Sequence, residues 1–329
     1  IVLDLKQPDG VEAMRRLVDG ADVLIYNVRP SAMARLGLGY ERLSQTNPRL
    51  VYVGAYGYSQ RGPNAGKAAY DDLIQGASGL PWLASRGGEQ PPQYVPVNMA
   101  DRLTGLHVVY AVTAALFHRT RTGRGQSVEV PMFESVAQFV LGDHLAGMSY
   151  EPPIGGTGYA RLEHRRPYAT KDGHLCVLVY NDKQWRNFLQ AVGRPELVTD
   201  PRFSSHGNRA IHIGEIYGFL SDLIRTRTTA EWVALLEAID IPVAPMNAVE
   251  DLLTDPHLTG SGFLEQEDHP TEGRVYAPRT PTAWSDSPPG SRSPTARFGE
   301  HSESILRELG FDDARIAAMR ASGATRTPD

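Results

Sequence analysis

Residues 21–56 read ADVLIYNVRPSAMARLGLGYERLSQTNPRLVYVGAY. The two ends of this stretch, Ala21–Tyr26 and Leu50–Tyr56, are almost entirely apolar, which is typical of strands covered on both faces in a parallel sheet. Two short helices, around Ser31–Leu36 and near Tyr40–Ser44, fit between them. A strand, a helical crossover and a second strand predict a doubly wound α/β sheet.

The same alternation continues on both sides of this stretch. Upstream, Ile1–Leu5 reads as a first strand, and a turn at Pro8-Asp9-Gly10 leads into a helix. Downstream, Leu103–Phe117 is apolar around nearly its whole circumference, so we expect a helix that is packed inside the domain. A turn then leads to a further strand at Ser127–Met132. The first half of the chain therefore predicts a large α/β domain with a parallel sheet.

The composition changes near residue 149, where proline and glycine become frequent. We expect residues 149–164 to form a linker with a glycine-rich loop, and residues 165–255 to form a smaller α+β domain. Residues 256–329 are predicted to be a return linker followed by two short helices. These helices are expected to pack on the large domain, whose first part is residues 1–148.

The composition excludes several classes of function. Lysine and arginine number 33 against 38 aspartates and glutamates, a net charge of −5, so nucleic acid and anionic membranes are not expected partners. The single cysteine, Cys176, suits a reducing compartment, and we expect a cytoplasmic protein. No apolar run approaches the roughly 20 residues of a membrane helix. No spacing typical of a zinc site, a P-loop or a dinucleotide fingerprint is present, so no metal is expected.

Asp101 is the candidate for covalent chemistry. It stands directly before the apolar helix, in the run NMADRLTG of residues 98–105. One interpretation is an ordinary N-cap, whose carboxylate accepts a backbone N–H at the positive end of the helix. The functional interpretation is an ionised carboxylate held rigidly at the mouth of the sheet. The two are compatible, because a cap that is also a nucleophile is well positioned.

Three cations follow the predicted early strands. Lys6 comes directly after the first strand, Asn27 and Arg29 follow the second, and Arg35 lies a turn beyond. In an open α/β sheet, ligands bind outside the carboxyl ends of the strands. Cations gathered there could hold a phosphorylated ligand. The alternative for each cation taken singly is a solvated surface charge.

The chain resembles a known family along essentially its whole length. Each motif is short, but the ordered set is specific. The motifs are Leu3-Asp4-Leu5-Lys6, Asn27-Val28-Arg29-Pro30, Asn47-Pro48-Arg49-Leu50-Val51-Tyr52, Tyr70-Asp71, Asp101 with Thr104-Gly105, Thr122-Gly123-Arg124-Gly125-Gln126, Lys171-Asp172-Gly173, Glu231-Trp232, Ile241-Pro242-Val243-Ala244-Pro245, Asp255-Pro256-His257-Leu258 and Gly299-Glu300-His301. They resemble the class III coenzyme A transferases, the CaiB/BaiF group that includes formyl-CoA transferase and α-methylacyl-CoA racemase.

The resemblance implies a Rossmann-like large domain and a small domain, with two chains interlocked as rings in a homodimer. It implies acyl-CoA and a carboxylic acid as substrates, with no permanently bound cofactor. Asp101 matches the transferase nucleophile, and Asp71 falls where some members carry a glutamate near the active site. The positions that match family contacts to CoA are Leu3, Lys6, Asn27, Val28, Arg35, Leu36 and Tyr70.

The chain departs from the family in two places that bear on activity. Family members begin with a strand-helix-strand segment that is absent here, and its first loop supplies backbone contacts to CoA and an active-site glutamine. We therefore expect upstream residues. The glycine-rich loop that shields the intermediates in formyl-CoA transferase would map to Gly155, Gly156 and Gly158.

Tyr70 is a third departure and separates activities within the family. Racemases of the family place a catalytic histidine at this position. A phenol has an ordinary pKa of about 10 and is a poor general base at neutral pH. Tyr70 therefore argues against racemisation.

These residues predict a CoA transferase that moves CoA from an acyl-CoA to a free acid through covalent intermediates on Asp101. Two alternatives stay open. One is an acyl-CoA racemase or isomerase, and the other is a CoA-binding subunit without turnover.

Overall fold

The computed structural model describes residues 1–85, 87–157, 165–290 and 293–328. The chain divides into two compact units. The first comprises Ile1–Tyr159 with Thr295–Asp329, and the second comprises Ala160–Pro294. The predicted domain limits stay predictions. The second unit includes the stretch after residue 255 that the sequence places in a return linker.

Helices and strands alternate along the first unit, and its three strands form one sheet. In chain order its elements before the second unit are α1 (Pro8–Asp19), β1 (Val23–Tyr26), α2 (Pro30–Arg35), α3 (Tyr40–Thr46), β2 (Val51–Tyr56), α4 (Asp71–Ala77), α5 (Leu80–Ala84), α6 (Met99–Thr122), β3 (Gln126–Pro131), α7 (Met132–His144) and a 3-10 helix at Ala146–Ser149.

The sheet is parallel, with β2 between β1 and β3. One face packs against α6, where Val51 and Val53 meet Val108. The opposite face packs against the helices that precede and follow β1, where Tyr52 meets Met33. Apolar side chains are thus buried on both faces, and the predicted α/β class with a parallel sheet is confirmed. The carboxyl ends of all three strands lie at one edge of the sheet.

The predicted strand Ile1–Leu5 and the turn after it are wrong. The described residues show only an isolated antiparallel bridge there, between Leu3 and Thr325. The residues predicted as a turn instead form the first turn of α1, and Pro8 is one of them. A proline fits there because the first N–H groups of a helix have no intrahelical partner, so the N–H that proline lacks is not needed. A strand needs a neighbour over several residues, and this segment pairs with the C-terminal end of the chain at one point.

Helix α6 starts earlier and runs longer than the sequence predicts, as 24 residues from Met99 to Thr122. Asn98 occupies the N-cap position, so Asp101 is the third residue of the helix and not its cap. Gly123 ends the helix in the left-handed region at φ 74°.

The expectation that this helix is packed inside the domain is also wrong. One face, which includes Ala100, Thr104 and Val108, is buried. The opposite face leaves large apolar side chains exposed, namely Leu106, Val109, Tyr110 and Phe117. The helix is therefore apolar around its circumference although only one of its faces is buried and the opposite face is exposed.

In its described residues, the second unit combines helices with a three-stranded antiparallel sheet, whose strands are paired in chain order, and a two-stranded antiparallel sheet. Its core includes Phe188, Trp232 and Leu236. Its elements are β4 (Tyr168–Ala169), β5 (His174–Val177), α8 (Asp182–Ala191), a 3-10 helix at Pro195–Thr199, α9 (His206–Ile211), α10 (Ile213–Ile224), α11 (Thr229–Glu237), β6 (Val243–Pro245), a 3-10 helix at Glu250–Leu253, α12 (Pro256–Gly260), β7 (Leu264–His269) and β8 (Gly273–Pro278).

Two closing helices, α13 (Ser302–Glu308) and α14 (Asp313–Ser322), belong to the first unit. Leu306 and Met319 are fully buried in a cluster with Ala13 of α1. No helix within the described ranges is long and apolar enough to cross a membrane.

Candidate active site

Two aspartates meet where α4 and α6 begin. Asp71 is the first residue of α4, and Asp101 is the third residue of α6. The backbone N–H of Asp101 donates to Asp71 Oδ2 at 2.9 Å. The first turn of a helix leaves its N–H groups without intrahelical partners, so a carboxylate from another element is a suitable acceptor. The structure therefore brings two sequence-predicted site residues together.

The helix ends are held by a small buried cluster. Ile74 of α4, Ala100 of α6 and Val136 of α7 are fully buried against one another. Tyr58, which follows β2, and Phe133, which follows β3, pack on the same cluster. The aspartate pair therefore lies at the carboxyl edge of the parallel sheet, which is where ligands bind in open α/β folds.

Gly57 sets the approach of the segment that enters α4. A Cβ at this position would lie 2.2 Å from the Cβ of Ala69, far inside van der Waals contact. The Gly57 carbonyl also accepts the backbone N–H of Phe133 at 2.9 Å. Only glycine lets the residues just before Tyr70 and Asp71 pass this close to the end of β2.

The surroundings of Asp101 raise the pKa of its carboxyl above the ordinary value, first through burial and then through the negative charge of Asp71. The side chain nevertheless remains open to solvent. A carboxylate with a raised pKa is a stronger base than an ordinary aspartate. An exposed carboxylate of this kind at the ligand edge is suited to attack an electrophilic carbonyl.

Tyr70 occupies the N-cap position of α4, and 74% of its side chain is exposed. Tyr70 directly precedes Asp71 in the sequence, and its exposed ring can contact a bound molecule. An aromatic side chain so exposed at a ligand edge fits a binding role.

Several of the predicted CoA-binding residues belong to a second apolar cluster, which includes the end of β1, or are next in sequence to its members. Tyr26 and Leu36 pack on this cluster, and so does Leu5, which directly precedes Lys6. The side chains of Lys6, Asn27, Val28, Arg29 and Arg35 are exposed. Lys6 therefore reaches this neighbourhood although the strand predicted before it does not form.

Leu3 lies differently from the other predicted CoA contacts. Its side chain packs against the cluster of α1, α13 and α14. The next residue, Asp4, donates its backbone N–H to Ala324 O at 2.9 Å. Leu3 is thus held by the C-terminal end of the chain, and its half-buried side chain contributes to packing.

The role of the glycines predicted to shield the intermediates stays a prediction. Gly155 packs on the backbone of Gly147, where an added Cβ would lie 2.6 Å from Gly155 Cα. Gly147 lies three residues after His144, the last residue of α7, within the 3-10 helix at Ala146–Ser149. Gly158 lies outside the described residues.

Two glutamates at this edge are absent from the sequence predictions. Glu129 of β3 accepts the hydroxyl of Tyr56 at 3.0 Å and the backbone N–H of Gln60 at 3.2 Å. Glu134 of α7 accepts the backbone N–H of Ser59 at 3.2 Å. Together they fix the loop that follows β2. The signal for Glu129 was a charged residue between the apolar residues Val128 and Val130 of β3.

No group of three or more histidine, cysteine, aspartate or glutamate side chains in the described ranges could hold a metal ion. The chemistry that this edge offers is that of its carboxylates and cations.

The sequence of this chain is similar to known CoA-transferases. A family model described as CoA-transferase family III matches residues 1–302. The chain is 32% identical over 314 residues to the succinate–glutarate CoA-transferase of Agrobacterium fabrum, an overlap that covers 94% of this chain and 78% of that protein. It is 29% identical over 350 residues to a formyl-CoA:oxalate CoA-transferase of Escherichia coli, which covers 98% of this chain and 83% of that protein.

Solved structures give the same result. A CAIB/BAIF family protein from Brucella suis matches with a TM-score of 0.77 and 30% identity, over 94% of this chain and 81% of that chain. A hypothetical protein from Mycobacterium tuberculosis matches with a TM-score of 0.79 and 27% identity, over 93% of this chain and 82% of that chain. The resemblance found in the sequence motifs is confirmed, and the chain belongs to the CoA-transferase family III.

Proposed function

We propose that this CoA-transferase moves CoA from an acyl-CoA thioester to a free carboxylic acid, with Asp101 as the nucleophile. The observation that carries the proposal is the exposed Asp101 carboxylate, whose pKa is raised and which is held beside Asp71 at the carboxyl edge of the sheet. Covalent catalysis divides a difficult transfer into easier steps and keeps the free energy of the thioester.

The first half of the reaction consumes the donor. An Asp101 Oδ attacks the thioester carbonyl carbon, the carbon–sulfur bond breaks, and CoA leaves as a thiolate. The product on the enzyme is a mixed anhydride of aspartate and the donor acid. The thiolate then attacks the Asp101 carbonyl carbon of the anhydride, which gives an aspartyl-CoA thioester and releases the donor acid as a carboxylate.

The second half reverses these steps with the acceptor. The acceptor carboxylate attacks the aspartyl-CoA thioester and expels the thiolate, so that a new anhydride forms. The thiolate attacks the acceptor's acyl carbon, forms the new acyl-CoA and frees the Asp101 carboxylate. Charge and atoms balance without a metal or a redox cofactor.

The remaining predicted residues have roles in binding. Lys6, Arg29 and Arg35 would pair with the phosphates of CoA, since they are exposed and lie close in sequence to members of one apolar cluster that includes the end of β1. Asn27, Val28, Leu36 and Tyr70 would contact the rest of the CoA molecule. Either intermediate would hydrolyse in an open site, so water must be excluded, and closure by the stretch that contains Gly155, Gly156 and Gly158 stays a prediction.

The acid substrates are proposed from the relatives. Their names pair succinate with glutarate and formyl-CoA with oxalate, so short carboxylic acids, dicarboxylic acids above all, are the first acceptors to assay. A homodimer with interlocked chains and a cytoplasmic location are further parts of the proposal.

Asp101→Asn tests the nucleophile. An amide cannot attack the thioester, so we expect acyl exchange to fall by at least about 100-fold, with Asp72→Asn as the matched control on the exposed side of α4. In the wild-type protein incubated with an acyl-CoA donor, hydroxylamine should convert the activated Asp101 carboxyl to a hydroxamate and release the donor acid or CoA, and mass spectrometry should find the hydroxamate on Asp101. Activity of Asp101→Asn within about tenfold of wild type would remove Asp101 from this role.

The same assay separates the alternatives. A racemase or isomerase would exchange the α-proton of an acyl-CoA with solvent deuterium in the absence of any acceptor acid. A subunit without turnover would bind CoA and transfer none for any donor. We expect neither result, since Tyr70 supplies no imidazole or carboxylate base at the position where racemases carry histidine.

A further inference from the structure

Gln75 is a buried polar residue of α4 next to the aspartate pair. Only 1% of its surface is exposed, and its neighbour Ile74 is part of the apolar cluster that holds the helix ends together. A buried amide costs free energy unless its donors and acceptor are all engaged. Gln75 therefore identifies a place where the fold depends on specific hydrogen bonds.

The amide of Gln75 is engaged on every side. Its Nε2 donates to Asp71 Oδ1 at 2.6 Å. The same nitrogen lies 3.4 Å from Val95 O and 3.3 Å from Val97 O. Its Oε1 accepts the backbone N–H of Val95 at 2.9 Å. One side chain thus connects Asp71 to the segment that leads into α6.

Asp71 has its two oxygens divided between Gln75 and Asp101. Oδ1 accepts from the Gln75 amide, and Oδ2 accepts from the Asp101 backbone N–H. The segment on the other side of Gln75 continues directly into the helix, since Met99 donates its backbone N–H to Val97 O at 2.6 Å. Gln75 therefore reaches Asp101 by two routes, one through Asp71 and one through the start of α6.

We propose that Gln75 is a positioning residue for the covalent step, which fixes Asp71 and the entry to α6 so that the Asp101 carboxylate faces the thioester in one orientation. The inference rests on the proposed function, because it assigns Gln75 to the same nucleophile. Small displacements of a reacting group cost large factors in rate, so loss of this support should slow attack more than it weakens binding.

A double-mutant cycle tests the role of Gln75. In Gln75→Leu, Asp71 Oδ1 and the Val95 N–H lose their partner. We expect formation of the Asp101 adduct in a single turnover to slow by about tenfold or more, while the Kd for CoA changes by less than about twofold. In the Asp71→Asn background, Gln75→Leu should slow adduct formation by less than about threefold, because the route from Gln75 through Asp71 is already broken.

Ile74→Val is the matched control. It removes a buried methylene group from the neighbouring position on α4, so it lowers stability without touching Asp71. If Ile74→Val slows adduct formation as much as Gln75→Leu does, Gln75 is structural and the inference is overturned. The inference is also overturned if the rate losses of Gln75→Leu and Asp71→Asn multiply fully in the double variant. Adduct formation at the wild-type rate in Gln75→Leu overturns it as well. Failure of the proposed function looks different, since the wild-type protein itself would then transfer CoA and form no adduct on Asp101.

Discussion

At the scale of single residues, the sequence identified Asp71 and Asp101 as members of one site, but not the bond between them. They are 30 positions apart, and the hydrogen bond from the Asp101 backbone to Asp71 depends on how α4 and α6 pack. Gln75 escaped the prediction for the same reason. A glutamine next to Ile74 has no local signal, and only the tertiary structure shows that its amide is buried and bonded.

The charge of Asp71 gives a testable pH dependence. Burial raises the pKa of Asp101 and the charge of Asp71 raises it further, and the nucleophile acts only when ionised, so the transfer rate should fall as pH decreases through that pKa. Asp71→Asn removes the second of these causes, and we expect the acidic limb of kcat/KM to move to lower pH. The measurement is a pH–rate profile for acyl exchange, with Asp72→Asn as the control that leaves the limb in place.

The direction in which the acidic limb of kcat/KM moves in Asp71→Asn tests this prediction. An acidic limb that stays in place or moves to higher pH in Asp71→Asn would show that the Asp71 charge does not act on the nucleophile. The raised pKa also means that ionisation of Asp101 opposes folding. This penalty is absent below the pKa of the unfolded chain and fully present above the pKa of the folded state, so Asp101→Asn should not lose stability through charge at neutral pH.

At the scale of elements, local patterns predicted what local forces determine. The strands β2 and β3 begin and end within one residue of the predicted strands Leu50–Tyr56 and Ser127–Met132. The strand predicted at Ile1–Leu5 is wrong, because strand formation depends on a partner that may be distant in sequence. The local sequence pattern also could not distinguish the buried face of α6 from the exposed one, since the helix carries apolar residues on both faces.

Gly57 carries the prediction at this scale. A Cβ there would lie 2.2 Å from the Cβ of Ala69, so Gly57→Ala must displace the segment that enters α4. Overpacking of this kind costs about 1–3 kcal/mol, and we expect a loss of that size in the free energy of unfolding. The displaced Asp71 should also slow acyl exchange. Denaturant unfolding and the exchange assay measure the two effects on the same protein.

Gly76 provides the matched control. It lies in the interior of α4, and nothing is within 4 Å of an added Cβ. Gly76→Ala should therefore stabilise the helix by about 0.4–1 kcal/mol and leave acyl exchange unchanged. If Gly57→Ala is as stable and as active as wild type, the close approach of Ala69 is not what places the start of α4.

At the scale of the whole molecule, the sequence predicted two lobes and a return of the C-terminal helices to the first. The structure has two compact units, and α13 and α14 belong to the first. What local pattern could not supply is the surface that the folded chain leaves open. Helix α6 exposes an apolar face on which Leu106 and Phe117 are 67% and 64% exposed. Several large apolar side chains exposed along one face of a helix usually mark an interaction site.

The proposed homodimer identifies a second copy of the chain as the partner for this face. We expect the wild-type protein to be a dimer by size-exclusion chromatography with light scattering. Leu106→Glu combined with Val109→Glu places two charges on a face that must lose water on association, and it should yield monomers. Both side chains are largely exposed in the single chain, so the variant should still fold, as circular dichroism would show.

The matched control is Arg42→Gln with Gln45→Glu on α3. It changes the net charge by the same amount as the two glutamates on α6 and should remain a dimer. A wild-type monomer, or a dimer that survives the charges on α6, would exclude this face as the interface.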